Sequence, residues 1–315
     1  MIEINGEYSQ ALVYTDTLAE SAMAQIKSFC NQQFSAGSKI TVMSDICNGR
    51  EGSHGITMQI YDKVFPSVIA ADIGCGILAV KLREKQLDVQ KIKKFIYENI
   101  PVGDVVRQKP HRKHEKFDIY DLHCVHGINI NQVKESLGTL GGGNHFIEID
   151  TDGENLYLLI HTGSRNLGAQ VAKYYQKKAY NTFGGHKRAR MPYEWAYLAD
   201  ESSNEYLHDV KLVQNFADLN RTIIKEIILE DMNLEEAESF TTVHNYIDIE
   251  SMILRRGAVS AKKGEKLIIP LTNTWNRCSL LCTGLGNEKW NCSAPYGAKK
   301  KTSIMMKTEN TLAIS

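Results

Sequence analysis

The stretch HFIEIDTDGENLYLLIHTGSRNLG, residues 145–168, constrains the fold of this chain more than any other. Two apolar runs flank an Asp-Gly pair, which marks a tight turn between antiparallel strands because glycine adopts positive φ without steric cost. The second run, YLLI at 157–160, is the pattern of a buried strand, and it delivers His161 to the strand's C-terminal end. A Gly/Ser loop and Arg165 follow at once.

Around this hairpin, strand-like and helix-like patterns are interleaved without a fixed order. Residues 16–35 carry apolar residues at roughly helical spacing, and LDVQKIKKFIYENIP (87–101) reads as a helix ended by Pro101. Residues 38–82 are β-type runs punctuated by glycine. Residues 165–232 read as mostly helical, and 240–293 as short strands and loops. No βαβ alternation and no repeat period occurs, which disfavours a nucleotide-binding doubly wound sheet or a (β/α)8 barrel. The expected architecture is one mixed α+β domain spanning 1–315.

Composition narrows the function classes. Lys+Arg and Asp+Glu balance at 37 each, so no global positive field announces nucleic acid, although one local patch can still bind RNA. No apolar run reaches the length of a membrane span, and MIEINGEYSQ lacks the basic and apolar parts of a secretory signal. A cytoplasmic protein with no membrane partner is expected. The seven cysteines are odd in number and form no Cys-x-x-Cys pair, which suits thiols or ligands better than a disulfide framework.

Four separate segments supply metal-ligating side chains on strand ends or glycine turns. AADIGCGI places Asp72 and Cys75 at i and i+3 in a loop closed by Gly74 and Gly76, where a carboxylate and a thiolate can close on one borderline cation. A capping Asp and a buried Cys would look the same. GTLGGGNHFIEI (138–149) has three consecutive glycines that let the backbone approach something bulky and anionic, with Asn144 and His145 after them. It is not a Walker A loop, since no GK[ST] follows. His161 is the third contribution, and TTVHNYIDIE (241–250) is the fourth, with His244 and Asn245 interrupting a β-type run. One Asp, one Cys and three His exceed the four ligands of a closed zinc site. A five-ligand set with a thiolate able to bridge suits two divalent ions and phosphoryl chemistry. The remaining histidines (54, 111, 114, 123, 126, 186 and 208) lack comparable settings, and RQKPHRKHEKF reads as a basic loop facing phosphate or solvent.

The ordered set DIGCG, GTLGGGNHFIE, HTGSRNLG, HN and LRRGAVSAKKGEKLIIP resembles the motifs of RtcB-type RNA ligases over roughly residues 40–297, with 298–315 a divergent tail. The resemblance implies a single α+β domain with a central dimetal site. The activity it implies is GTP- and Mn(II)-dependent joining of RNA 3′-phosphate or 2′,3′-cyclic phosphate ends to 5′-hydroxyl RNA ends, in tRNA splicing or RNA repair. Carried over by position, Asp72 and His145 would hold one manganese and His161 and His244 the other, with Cys75 bridging. Asn144, His145, Phe146, Ile147 and Glu148, with His244, Asn245, Tyr296 and Gly297, would line the GMP pocket. Asp45 matches an aspartate of the first active-site loop, although Cys47 stands where that loop has histidine, and LTNTWNRCSLL departs from the nucleotide-contacting loop.

The largest departure is SAPYGAKK, where the family has Ser-Ala-Pro-His-Gly-Ala-Gly-Arg and its histidine accepts GMP. Tyr296 takes that position, held between Pro295 and Gly297. An imidazole with a pKa of about 6.5 is a competent nucleophile at neutral pH, whereas a phenol near about 10 is not unless activated. Two further readings follow from this exchange: a degenerate protein that binds metal and RNA ends without joining them, and a metal-dependent cyclic phosphodiesterase.

Overall fold

The computed structural model describes residues 1–46, 55–69, 71–185, 191–272, 279–299 and 312–314. Cys47, His54, His186 and most of LTNTWNRCSLL lie outside the described residues. Along the chain, β1 (Ile2–Asn5) and β2 (Gln10–Val13) are followed by helix α1 (Glu20–Cys30), then β3 (Lys39–Val42), β4 (Ile56–Gln59) and the short β5 (Lys63–Val64). Next come β6 (Cys75–Leu82), α2 (Val89–Asn99), α3 (Ile130–Ser136), β7 (Phe146–Thr151), β8 (Leu156–Thr162) and α4 (Arg165–Thr182). After β9 (Leu198–Ala199) runs the 33-residue α5 (Asp200–Met232), roughly 50 Å long at 1.5 Å per residue. The chain closes with β10 (Glu236–Asp248), β11 (Ile253–Arg256), β12 (Ala258–Ser260), β13 (Lys266–Thr272), β14 (Ser279–Thr283), β15 (Ser293–Pro295), β16 (Ala298–Lys299) and β17 (Leu312–Ile314).

Among the described residues, ten strands form one mixed sheet in the order β1-β2-β3-β4-β11-β10-β6-β8-β7-β17. The β2–β3 pair is parallel and the other pairings in it are antiparallel. The mixed α+β class therefore agrees with the sequence reading. So does the 145–168 hairpin, with Phe146 opposite His161 and Thr151 opposite Leu156.

Alternation divides the central strands into two faces. Leu78, Val80, Leu82, Ile147, Ile149, Leu158 and Ile160 pack with Ile92 and Ile96 of α2 and Ile224 and Ile228 of α5. Burying each such side chain contributes about 1.5–3 kcal/mol before entropy is counted. The opposite face carries Ile77, Ala79 and Leu159 beneath Phe146 and Tyr296. Cys75 and His161 belong to this second face by register with these neighbours. The helices thus cover one side and leave the other for chemistry.

Two expectations change. Residues 240–293 are not all short strands, because β10 is a 13-residue central strand paired with both β6 and β11. The basic RQKPHRKHEKF segment forms a short 3-10 helix over Arg112–Lys116, and Lys113 is ion-paired with Glu226 of α5, so part of its charge is spent inside the fold. Cys30, Cys75, Cys124, Cys282 and Cys292 are free thiols, as the irregular spacing suggested. No helix among the described residues is long and apolar enough to cross a membrane.

Candidate functional site

Cys75 opens β6 with its thiol buried between two imidazoles. Its Sγ lies 3.3 Å from Nε2 of His145 and 3.3 Å from Nε2 of His161. Each ring is oriented from behind by a backbone carbonyl: His145 Nδ1 is 2.9 Å from the Leu140 oxygen, and His161 Nδ1 is 2.9 Å from the Asn144 oxygen. A carbonyl only accepts, so both Nδ1 atoms carry the proton and both Nε2 lone pairs face the sulfur. That is the outer-shell arrangement that prepares histidines for metal binding. Burial holds both imidazoles neutral. His161 is driven down to about 3 by desolvation and then by its neighbour His145, and His145 is lowered by desolvation and the Arg165 charge. Burial, and after it the Asp72 charge, pushes the Cys75 thiol up.

His244 completes a triangle, since Cys75, His161 and His244 offer ligand atoms within 4.8 Å of one another. A β-bulge brings it there. The β10–β6 register runs Thr242 to Ile77 and Val243 to Gly76, then jumps to Asn245 opposite Cys75, leaving His244 as the extra residue. Metal–sulfur and metal–nitrogen bonds of about 2.3 and 2.0 Å at tetrahedral angles set the ligand atoms about 3.6 Å apart. The observed 3.3 Å spacings are close to that, so the distances from Cys75 to each imidazole suit a shared divalent ion.

The other predicted residues separate into different roles. Asp72 is exposed and stands outside the tight triangle, although its charge acts on Cys75 and His145. The Asn245 amide donates to the carbonyls of Ile69 and Asp72, at 2.8 and 3.0 Å, and so pins the Asp72 turn. Phe146 and Glu148 share the site face with Leu159 and His161. Ile147 does not: its side chain is buried in the core under α2 and α5, so it offers the pocket only backbone. Asn144 is exposed and contributes its carbonyl to His161.

Tyr296 stands directly over the Cys75–His161–His244 group. Its ring stacks on His244 with centroids 3.5 Å apart, and its hydroxyl is 3.0 Å from Nε2 of His161. Since that Nε2 is a lone pair, the phenol donates. Burial, reinforced by Cys75, raises the phenol well above its ordinary value of 10. The loop is held at both ends: Tyr296 N–H donates to the Gly257 carbonyl at 3.3 Å, and Gly297 N–H donates to Asp45 Oδ2 at 2.9 Å. Asp45 therefore fixes the Tyr296 loop.

The glycine run has a partly different use from the one expected. Gly141 has φ +94°, and a Cβ there would meet the Arg165 guanidinium at 2.0 Å and His145 Nδ1 at 2.7 Å. Its missing side chain makes room for protein groups of the site itself. Arg165, at the start of α4 with φ +54°, donates to Thr139 Oγ1 and the Gly103 carbonyl.

One positioning residue escaped the sequence reading. Arg221 of α5 is 1% exposed and donates to the carbonyls of Gly74 and Thr162, at 2.7 and 2.9 Å. It ties the loop before Cys75 to the residue after His161. Its sequence signal is an arginine inside the apolar stripe of a long helix.

Comparison with known proteins gives the family. A family profile described as tRNA-splicing ligase RtcB matches residues 25–311, beyond both ends of the 40–297 motif region. The chain is 28% identical to the RNA-splicing ligase RtcB of Escherichia coli strain K12 over 307 residues, covering 84% of this chain and 74% of that one. It is 25% identical to RNA-splicing ligase RtcB2 of a second Escherichia coli strain, covering 84% and 68%. Identity to the tRNA-splicing ligase RtcB of Aeropyrum pernix is 29%, covering 52% and 44%. With the profile matching most of its length, the chain belongs to the RtcB family.

Proposed function

We infer that the protein is an RNA ligase of the GTP- and Mn(II)-dependent type, with guanylylation impaired by Tyr296. The reading joins 3′-phosphate or 2′,3′-cyclic phosphate ends to 5′-hydroxyl RNA ends. The observation that carries it is the Cys75 thiol placed equally between Nε2 of His145 and Nε2 of His161, with His244 closing the group. Cys75, His145, His161, His244 and the nearby Asp72 would hold two divalent ions. When bound, these would neutralise phosphate charge during phosphoryl transfer. Asn144, Phe146, Glu148, Asn245 and Gly297, with backbone from Ile147, would shape the nucleotide pocket.

Impairment follows from proton bookkeeping. GMP transfer to Tyr296 would form an Oη–phosphorus bond, release pyrophosphate and discharge the phenolic proton. The acceptor in reach is His161 Nε2. Moving a proton from a phenol that burial raises well above 10 to an imidazole that burial drives down to about 3 is strongly uphill. The same lone pair is also claimed by the metal site. This supports a second reading, a protein that binds RNA ends or nucleotide without forming the covalent intermediate.

Incubation with Mn(II) and labelled GTP, followed by denaturing electrophoresis, tests both. A weak label in the wild type that rises at least 100-fold in Tyr296→His supports the impaired ligase. No label in either protein, together with retained Mn(II) and RNA binding, supports the second reading. Loss of Mn(II) binding altogether would sink both.

A further inference from the structure

His123 and His208 lie 85 residues apart in sequence and have nothing in common there, yet the fold stacks them edge to face with ring centroids 4.8 Å apart. Both were among the histidines without a metal-like setting in the sequence, and only the fold brings them together. His123 sits in the turn between two 3-10 segments, Ile119–Asp121 and Val125–Gly127. His208 is on α5, next to Asp209.

Asp209 is fully buried, and its carboxylate is saturated by neutral donors. Oδ1 accepts the His123 N–H at 2.9 Å; Oδ2 accepts the Cys124 N–H at 3.0 Å and the Tyr175 hydroxyl at 2.8 Å. Among the described residues, the one side-chain nitrogen within ion-pair distance of it is Nδ1 of His208, 3.2 Å from Oδ1. A carboxylate oxygen only accepts, so Nδ1 carries the proton and, in the neutral ring, Nε2 holds the lone pair. This Nε2 faces a second carboxylate, Asp121 Oδ2, at 3.8 Å. A proton on Nε2 or a metal ion bridges such a pair equally well, and the His123 ring stacked beside it supplies a further ligand for the ion. His123, His208 and Asp209 also offer ligand atoms within 4.8 Å of one another.

We propose that this cluster is a second metal site, separate from the central one, taking a divalent ion that favours imidazole, with Zn(II) as its type. His123 and His208 Nε2 are two ligands and Asp121 is the third, with water free to complete the set. Asp209 acts behind His208 as the orienting carboxylate, the outer-shell partner that fixes the ring and raises its basicity. Nitrogen and oxygen ligands at about 2.1 Å from one ion stand about 3.4 Å apart at tetrahedral angles. The 3.8 Å gap closes by rotating Asp121, whose side chain is 58% exposed. Imidazole with carboxylate is the donor set that zinc accepts readily, whereas manganese and magnesium prefer more oxygen. Such an ion would staple residues 119–127 to α5 and, through Asp209 and Tyr175, to α4. It does not depend on the ligase reading.

The test uses full-length, chelator-stripped protein dialysed against Zn(II), with bound metal counted per chain. The His123→Ala/His208→Ala double variant should bind one equivalent fewer than wild type with an unchanged circular dichroism spectrum. Asp121→Asn should weaken the same equivalent at least tenfold. A protein carrying Cys75→Ala and His161→Ala should retain that equivalent. Zn(II) should slow amide exchange over residues 119–127 in wild type and not in the double variant. Equal stoichiometry and equal exchange protection in wild type and the double variant would overturn the proposal, whatever happens at the central site.

Discussion

The Tyr296 hydroxyl donates to the same His161 nitrogen, across 3.0 Å, that also faces the Cys75 sulfur at 3.3 Å. One lone pair thus meets the phenol and would also be the ligand for the proposed metal ion. Tyr296→Phe removes the competing donor and keeps the ring stacked on His244. Mn(II) affinity measured by calorimetry should rise about tenfold, with the neutral hydrogen bond costing about 1 kcal/mol of stability. An unchanged or weaker affinity would mean that the hydroxyl does not compete.

Cys75 is the hinge of the central group, because His145 lies on one side of it and His161 on the other. Cys75→Ala should drop bound Mn(II) to less than half the wild-type stoichiometry, since a shared ligand serves both positions. His244→Ala removes a ligand from one side only and should leave about half. Equal losses in the two variants would argue against a bridging thiol.

Arg221 is a buried cation whose Nη1 holds two carbonyls together, those of Gly74 and Thr162, while Nη2 faces Asp218 at 3.5 Å. Arg221→Met leaves both acceptors unpaired, at about 1–3 kcal/mol each. Urea unfolding should show a loss of about 3 kcal/mol, and Arg221→Lys should recover only part of it because the ammonium sits on a shorter side chain and has no second nitrogen for Asp218.

Gly141 combines φ +94° with a Cβ position 2.0 Å from the Arg165 guanidinium. Gly141→Ala should cost about 2 kcal/mol through the left-handed backbone and displaced arginine. It should also weaken metal binding through His145, whose Nδ1 would sit 2.7 Å from the added carbon. Gly153→Ala, with φ +96° but open space around it, should lose stability and leave metal binding intact.

Asp150 carries a pH signature away from the central site. Burial raises its carboxyl from 3.8 to about 6, against the opposing Ser279 backbone hydrogen bond. Between those values the folded protein binds more protons than the unfolded chain, so stability falls as pH rises through that window. Asp150→Asn should therefore stabilise at pH 7.5, by on the order of 1 kcal/mol given its partial exposure, and the gain should shrink toward pH 4. Thermal unfolding at the two pH values checks the sign.

The hairpin at 145–168 was readable because alternation and the Asp-Gly turn are local properties. The glycine loops were readable as close approaches for the same reason. Their partners were not: Gly141 makes room for Arg165, which is 24 residues away and on another element. Asp45 was identified by its motif, but its hold on the Gly297 N–H links residues 252 apart. Arg221 was hidden because a helical periodicity records which face is apolar without saying which carbonyls that face meets.

By itself the sequence picked out Asp72, Cys75, His145, His161 and His244 as candidates, most of them on strand ends or glycine turns, and the fold gathers the last four while Asp72 stands outside the tight triangle. It could do so because strand ends and tight turns are set by short-range sterics and hydrophobic alternation. Tertiary structure alone decided how that inventory is arranged, through the β10 bulge that aims His244, the carbonyls that orient two imidazoles, and the pairing of His123 with His208. Sheet register and helix packing bring distant residues within hydrogen-bond reach, and neither is encoded in any single stretch of the chain.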